Sequence, residues 1–307
     1  MNNEIIEHLG RIVSEENLLL NESMSRHTTF RTGGPASLFI KPKDVEQLQQ
    51  IMKLVRSLEL PYFVVGNGSN LLVSDEGFDG LVISLERFEE LELQGESSIF
   101  AGAGVLNSAI ASFARDNSLT GFEFAAGIPG TIGGAMIMNA GAYGGEMKLI
   151  TRRVTVLDPR GEILTLDNET MEFGYRTSAI KGRGHIVLSV ILDLEKGDRE
   201  NITEQMKELA LKRKEKQPLE YPSAGSTFKR PEGHFAGKLI EEAGLRGFSV
   251  GGASVSEKHC GFVVNKGDAT STDIYRLIRE VQKRVFENSG ITLEPEVIMV
   301  GRFQQGE

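Results

Sequence analysis

Apolar residues at Ile5, Leu9, Ile12 and Val13 recur at helical spacing and predict a helix near the start of the chain. A strand is expected over 36–41. Asp44, with Gln47 three residues on, then reads as a capping box ahead of a buried stripe at Val45, Leu48, Ile51, Val55 and Leu58. Two β-branched runs follow, 62–65 between Pro61 and Gly66, and 81–85, so the pattern to this point is a small unit of alternating helices and strands. From Phe88 the texture changes to short strands, a helix over 105–117, a glycine- and alanine-rich stretch over 124–145, and strands near 154–158, 163–166 and 186–194. The helix expected over 202–216 is so densely charged (KELALKRKEKQ) that it reads as a solvated face or a connector. Beyond Pro218 come a helix over 236–243, strands around 248–250 and 261–264, a helix over 272–288 and a last strand over 297–301.

Glycine changes the picture. The chain has 35 among 307 residues, well above a usual share of about 7%, and they fall in tight clusters rather than at a period, which excludes collagen and suggests backbone approaching a ligand. A net charge of −9 argues against general affinity for nucleic acid or an anionic membrane. Cys260 is the single cysteine, so an intramolecular disulfide and a cysteine-built zinc site are excluded. Glu4, Glu7, His8 and Arg11 interrupt the first twenty residues, which do not read as an apolar leader, and no apolar run approaches a membrane span. A cytoplasmic protein, monomeric and acting on a small molecule, is the expectation.

Several motifs fail when counted. Gly66-Asn-Gly68 and Gly102-Ala-Gly104 open like a dinucleotide fingerprint, but Leu71 and Asn107 stand where the third glycine belongs. The segment from Gly233 to Lys238 is one residue short of a P-loop, and Leu239 replaces its Ser/Thr. The five histidines lack metal-ligand spacing and no metal is expected; nor is there a G-x-S-x-G elbow.

Two segments survive. Gly66, Asn67, Gly68, Ser69 and Asn70 follow a β-run, and such a turn reads equally as an inter-strand connection or as a concavity of backbone N–H groups for an anion. Gly127, Ile128, Pro129, Gly130 and Thr131 lead to Gly133 and Gly134, then Asn139, Gly141 and Ala142. Pro129 suits a first helical turn, and the paired glycines either clear a path for a ligand or allow close helix packing. A large dinucleotide held by an unusual fold explains both segments together.

These segments, with His27-Thr-Thr-Phe30, Gly174-Tyr-Arg176-Thr-Ser178, Ala224-Gly-Ser226-Thr-Phe228-Lys229 and Leu293-Glu-Pro-Glu296-Val, resemble flavoproteins of the vanillyl-alcohol-oxidase type and, more narrowly, the UDP-N-acetylenolpyruvoylglucosamine reductases. The resemblance runs from about Thr28 to Gly301 in one order. It implies an α+β fold: a two-part FAD-binding region of the vanillyl-alcohol-oxidase type (1–85, joined by the returning 293–307, and 86–198) plus a smaller α/β substrate-binding domain (199–292). It implies non-covalent FAD, NADPH as co-substrate and a nucleotide-sugar enol ether as substrate. Hydride would pass from flavin N5 to C3, Ser226 would protonate C2, and Arg176 and Glu296 would stabilise the enolate. Without the resemblance, Ser226 reads as a turn serine and Arg176 as a surface charge. Glu296 is expected to open a strand over 296–300, at least partly buried, where burial favours its protonated form.

Tyr175, Lys229 and Arg230 are expected substrate contacts, with Lys229 also a candidate to polarise Ser226. A longer form of the family folds a tyrosine from an insertion over the nucleotide. Here a strand and the charged helix use up 177–218, so the chain resembles the shorter subtype, and neither Tyr175 nor Tyr143 takes that lid role. Two rivals stand: a related flavoprotein oxidase, and a non-catalytic nucleotide-sugar sensor.

Overall fold

Helix α1 (Asn3–Ile12) and helix α2 (Val45–Ser57) show how local chemistry sets the elements. Asp44 is extended at the N-cap of α2 and accepts the Gln47 N–H at 2.9 Å. The Gln47 side chain does not close the box on Asp44. Its Oε1 takes the Lys43 N–H at 2.9 Å and its Nε2 donates to the Ile12 carbonyl at 2.8 Å, which ties the start of α2 to the end of α1. Leu48, Ile51, Met52 and Val55 form the buried stripe of α2.

The structure, a computed structural model, describes residues 3–303; the first two residues of the expected 1–85 region and the last four of 293–307 lie outside the described residues. Packing groups the chain into two units. This is a grouping by contact, distinct from the three-part division by role expected from the sequence.

Unit 1 comprises Met1–Leu19, Phe39–Asn67 and Leu81–Arg213. In it Tyr62–Val65 pairs in parallel with Phe78–Ser84, from Tyr62 opposite Leu81 to Val65 opposite Ser84. A five-stranded antiparallel sheet runs in the order Ile163–Asp167, Thr151–Leu157, Ile186–Asp193, Ser98–Gly102 and Leu91–Gln94. Helix α3 (Asn107–Asp116) buries Ile110, Ala111 and Ala114, and helix α4 (Ile132–Met138) packs on the strands Ile186–Asp193 and Ser98–Gly102. Helix α5 (Arg199–Lys216) starts three residues earlier than expected and buries only Ile202, in keeping with its charge. The stretch 177–218 holds Ile186–Asp193, Glu195–Lys196 and α5, with no inserted element among the described residues.

Unit 2 comprises Leu20–Leu38, Gly68–Gly80 and Lys214–Glu307. Its sheet is antiparallel, in the order Ser249–Val250, Ala253–Val255 and Val263–Asn265. Against it pack helix α6 (Ala236–Glu242) and helix α7 (Ser271–Ser289), whose Ile274, Leu277, Ile278, Val281 and Val285 are fully buried. Leu71–Val73 pairs in parallel with Ile298–Val300, and Leu72 joins the same core as Phe30.

The start of α7 is capped twice. Thr270 and Asp273 form a reciprocal capping box, and the carboxylate of Asp75, from a distant part of the chain, takes the N–H groups of Ser271 and Thr272 at 2.8 Å each and the Thr272 hydroxyl at 2.6 Å. Asp75→Ala is expected to cost about 1–2 kcal/mol, the usual worth of a good N-cap, read as a lower urea midpoint at unchanged slope; an unmoved midpoint would show the local box suffices.

Candidate functional site

In unit 1 the loop 127–131 is built from groups that cannot continue a helix. Gly130 holds φ +128° and Thr131 is extended, so α4 begins only at Ile132. Pro129 therefore lies before the helix rather than in its first turn, a correction to the sequence reading. A β-carbon on Gly66 would collide with Thr131 Oγ1, which brings the end of Tyr62–Val65 against this loop; Gly66 and Asn67 are exposed there.

The paired glycines differ in purpose. A side chain at Gly133 would meet Ala103 at 2.9 Å, so close packing accounts for it, whereas Gly134 faces only Thr131 Oγ1, at 3.8 Å. Asn107, the first residue of α3, donates its backbone N–H to the Gly130 carbonyl at 3.1 Å and its amide to the Ile128 carbonyl at 3.4 Å. Its Oδ1 is buried with no hydrogen bond among the described residues.

Asn139 ends α4 in the left-handed region, buried, and its side chain serves the protein itself. It donates to Glu146 at 3.0 Å and to the Gly174 carbonyl at 3.1 Å, and accepts the Lys148 N–H at 2.9 Å. Gly141–Ala142 pairs with Gly145–Glu146 just beyond. The sequence reading puts Asn139 on the cofactor; in the structure its amide holds the turn that carries Arg176.

That turn is closed by Gly174 and Thr177 bonding each other's backbone, with Arg176 at φ +55°. Lys181 Nζ caps the Arg176 carbonyl at 2.8 Å, and Ser178 anchors the exit to the Ile137 carbonyl at 2.9 Å. The Arg176 guanidinium lies 5.3 Å from the ring centre of the exposed Tyr175.

In unit 2 four sequence segments are laced together. Gly68 (φ +60°) is pressed against His27 and Thr28, and the Thr29 N–H bonds its carbonyl at 3.2 Å. Beyond half-buried Ser69, the Asn70 amide donates to the Glu296 carbonyl at 3.0 Å, and the Ile298 N–H returns to the Asn70 carbonyl at 2.9 Å. The Glu296 N–H bonds the Thr227 carbonyl at 2.8 Å, while Phe228 bridges Pro295. Ser226 is thus held one residue from the bond that fixes Glu296, its own side chain exposed and its neighbour Thr227 fully buried.

Glu296 is half-buried but does not open the strand, a second correction. Pro295 has no N–H to give and the Glu296 N–H turns to Thr227, so the ladder begins at Ile298. Lys229 is bound to Glu294 through both its backbone and its ammonium, and Arg230 stacks 3.9 Å from the ring centre of exposed Phe235.

Comparison with known proteins decides the family. Residues 217–300 match the C-terminal domain of UDP-N-acetylenolpyruvoylglucosamine reductase, and residues 36–167 match an FAD binding domain. The UDP-N-acetylenolpyruvoylglucosamine reductase of Lachnoclostridium phytofermentans is 50% identical over 98% of both chains. The chain belongs to the UDP-N-acetylenolpyruvoylglucosamine reductase family. The reductase of Caldanaerobacter subterraneus is also 50% identical, over 97% of this chain and 98% of that one. The crystal structure of the Thermus caldophilus reductase superposes with a TM-score of 0.80 at 38% identity, covering 92% of this chain and 98% of that one.

As a member of the UDP-N-acetylenolpyruvoylglucosamine reductase family, the protein is an FAD-containing oxidoreductase with the flavin fold of the vanillyl-alcohol-oxidase type. The residues present fit that cofactor. Beside the loop 127–131 of unit 1 one buried polar atom, Asn107 Oδ1, has no partner among the described residues, and Gly66 and Gly134, both exposed there, carry no side chain. A buried polar atom is seldom left so, and a group rich in hydroxyls and ring N–H supplies the donor that Asn107 Oδ1 lacks.

Sequence reasoning missed Asn107, noted only as a misplaced glycine, and Thr29, which sat unremarked inside a quoted motif. It also missed Thr227, whose buried hydroxyl takes the Val263 N–H at 2.9 Å. Among the described residues no helix is long and apolar enough to cross a membrane, and no His/Cys/Asp/Glu cluster could hold a metal ion.

Proposed function

We propose that the protein reduces UDP-N-acetylglucosamine enolpyruvate to UDP-N-acetylmuramate with NADPH, a step of peptidoglycan precursor synthesis. FAD, when bound, would supply hydride transfer between the nicotinamide and C3 of the enol ether. Residues 66–70, 127–131 and Gly134 hold it through backbone groups. Ser226 donates the proton to C2, which with the hydride saturates the double bond. Arg176 and Glu296 stabilise the charge that grows on the substrate carboxylate. Tyr175, Lys229 and Arg230 hold the nucleotide sugar. In this reading 1–85 with 293–307 and 86–198 serve the flavin, 199–292 serves the substrate, and the enzyme works as a cytoplasmic monomer.

One observation carries the reading: the Ser226 turn and the Glu296 segment are fixed to each other by the Glu296–Thr227 bond, and to Asn70 of the first glycine segment by the Asn70–Glu296 bond. A proton donor, a carboxyl group and a flavin loop are the parts this reduction needs within reach of one substrate.

Anaerobic absorbance of the purified protein tests it. NADPH should bleach the flavin and the enol ether should restore its colour. Bleaching without return would favour an oxidase acting on another substrate, and no flavin signal after adding FAD would leave only the sensor.

A further inference from the structure

The strand Val263–Asn265 pairs with Ala253–Val255 through one edge. Its other edge receives the segment that carries Ser226. The Asn265 N–H bonds the Pro222 carbonyl at 2.9 Å, Ser223 bridges Val264 in antiparallel fashion, and the Thr227 N–H bonds the Gly261 carbonyl at 2.9 Å. From 222 to 227 this segment takes five steps, while its partner takes four from 265 to 261. One residue is extra on the Ser226 side. That is a β-bulge, a device that bends a strand and re-aims a side chain.

The bulge opens a gap in the ladder. With residue 222 opposite Asn265 and Ser223 opposite Val264, the acceptor due to the Val263 N–H in a regular ladder is the Ala224 carbonyl. The Val263 N–H bonds the Thr227 hydroxyl instead, at 2.9 Å. Val263 and Thr227 are both fully buried, where an N–H without an acceptor is costly. Every polar group of Thr227 is thereby engaged, each with a different stretch of chain: its N–H with Gly261, its carbonyl with the Glu296 N–H and its hydroxyl with Val263. Ser226 is exposed, so the backbone rather than packing aims its hydroxyl. Gly225 turns the chain on one side of it at φ +74°, and Thr227 locks the other.

We propose that the buried hydroxyl of Thr227 is the positioning group for Ser226: it stands in for a main-chain acceptor that the bulge removes, and so holds the bulge that presents the serine. This rests on the reading of Ser226 as the proton donor and adds to it the residue that fixes the donor's aim. The alternative is that the hydroxyl only stabilises the fold.

Thr227→Val keeps the shape and removes the acceptor, and Thr227→Ser keeps the acceptor. Stopped-flow absorbance separates bleaching by NADPH from the return of colour on the enol ether. Thr227→Val should bleach at the wild-type rate and regain colour about 10²-fold more slowly, the cost of misplacing a reacting group by about 1 Å. Thr227→Ser should restore most of that loss. In a Ser226→Ala background Thr227→Val should add no further slowing, because two changes that act through one group do not add. If Thr227→Val does not fold, Thr227→Ala takes its place in each comparison.

Return of colour at the wild-type rate in Thr227→Val, equal slowing of both steps, no rescue by serine, or undiminished slowing on top of Ser226→Ala would overturn the proposal. If wild-type protein does not regain colour, or Ser226→Ala does so at the wild-type rate, the reading of Ser226 as the donor fails instead. Amide hydrogen exchange then decides on Thr227. The proposal requires residues 223–227 and Val263 to exchange about tenfold faster in Thr227→Val than in Thr227→Ser, as loss of one buried hydrogen bond implies, and equal protection overturns it.

Discussion

Ser226→Ala protein is expected to bleach with NADPH at the wild-type rate and to regain colour on the enol ether about 10²–10⁴-fold more slowly, the span that a positioned general acid supplies. The separation of the two effects follows from where Ser226 sits. Gly225, at φ +74°, turns the chain, and buried Thr227 fixes it, so the segment is held by neighbours and not by the serine hydroxyl. Removing one oxygen from an exposed side chain leaves stability within about 0.5 kcal/mol. The half-reaction with NADPH needs no proton at C2, so it should be spared. Stopped-flow absorbance follows both steps in the same sample. If both slow equally, Ser226 acts on flavin placement and not as the acid.

The second large effect is on the fold around the first glycine segment. Gly68→Ala should destabilise the protein by about 2–5 kcal/mol, combining left-handed strain with overpacking. Gly68 holds φ +60°, and an added β-carbon would collide with the His27 carbonyl oxygen and come 2.9 Å from Thr28 Cα. Both obstacles are backbone, which cannot swing aside as a side-chain tip could. Gly95→Ala separates the two causes: φ is +67° but nothing lies within 4 Å, so strain alone acts and about 1 kcal/mol is expected. Urea unfolding of the two variants measures the difference. Equal costs would mean that the turn at His27 yields, and Gly68→Ala should then keep its flavin.

Much of this was legible in the sequence, and the exceptions have physical causes. Helix α2 and helix α7 follow from apolar spacing and capping residues because each buries one face against a core. Helix α4 was obscured because its seven residues carry two glycines and no cap bond, and packing on the sheet rather than propensity makes it helical. The Asp75 cap could not be foreseen, since it joins residues far apart in sequence. Ser226, Arg176 and Glu296 were singled out by pattern, yet what positions them was not legible. The part Asn139 plays in holding the Arg176 turn was not legible, since the three bonds of its amide join residues up to 35 apart in sequence.

The parallel pair of Leu71–Val73 with Ile298–Val300 has a consequence for biosynthesis. The second strand leaves the ribosome roughly 225 residues after the first, which at about 5–20 residues per second is some 10–45 s. Throughout that time an apolar strand of unit 2 waits with an open edge, the kind of surface that invites aggregation and chaperone capture. The strand that ends the wait is joined to Glu296. A nascent chain therefore gains its Glu296 segment in the same event that closes the exposed edge, and a prematurely terminated chain carries its defect openly, where quality control can find it.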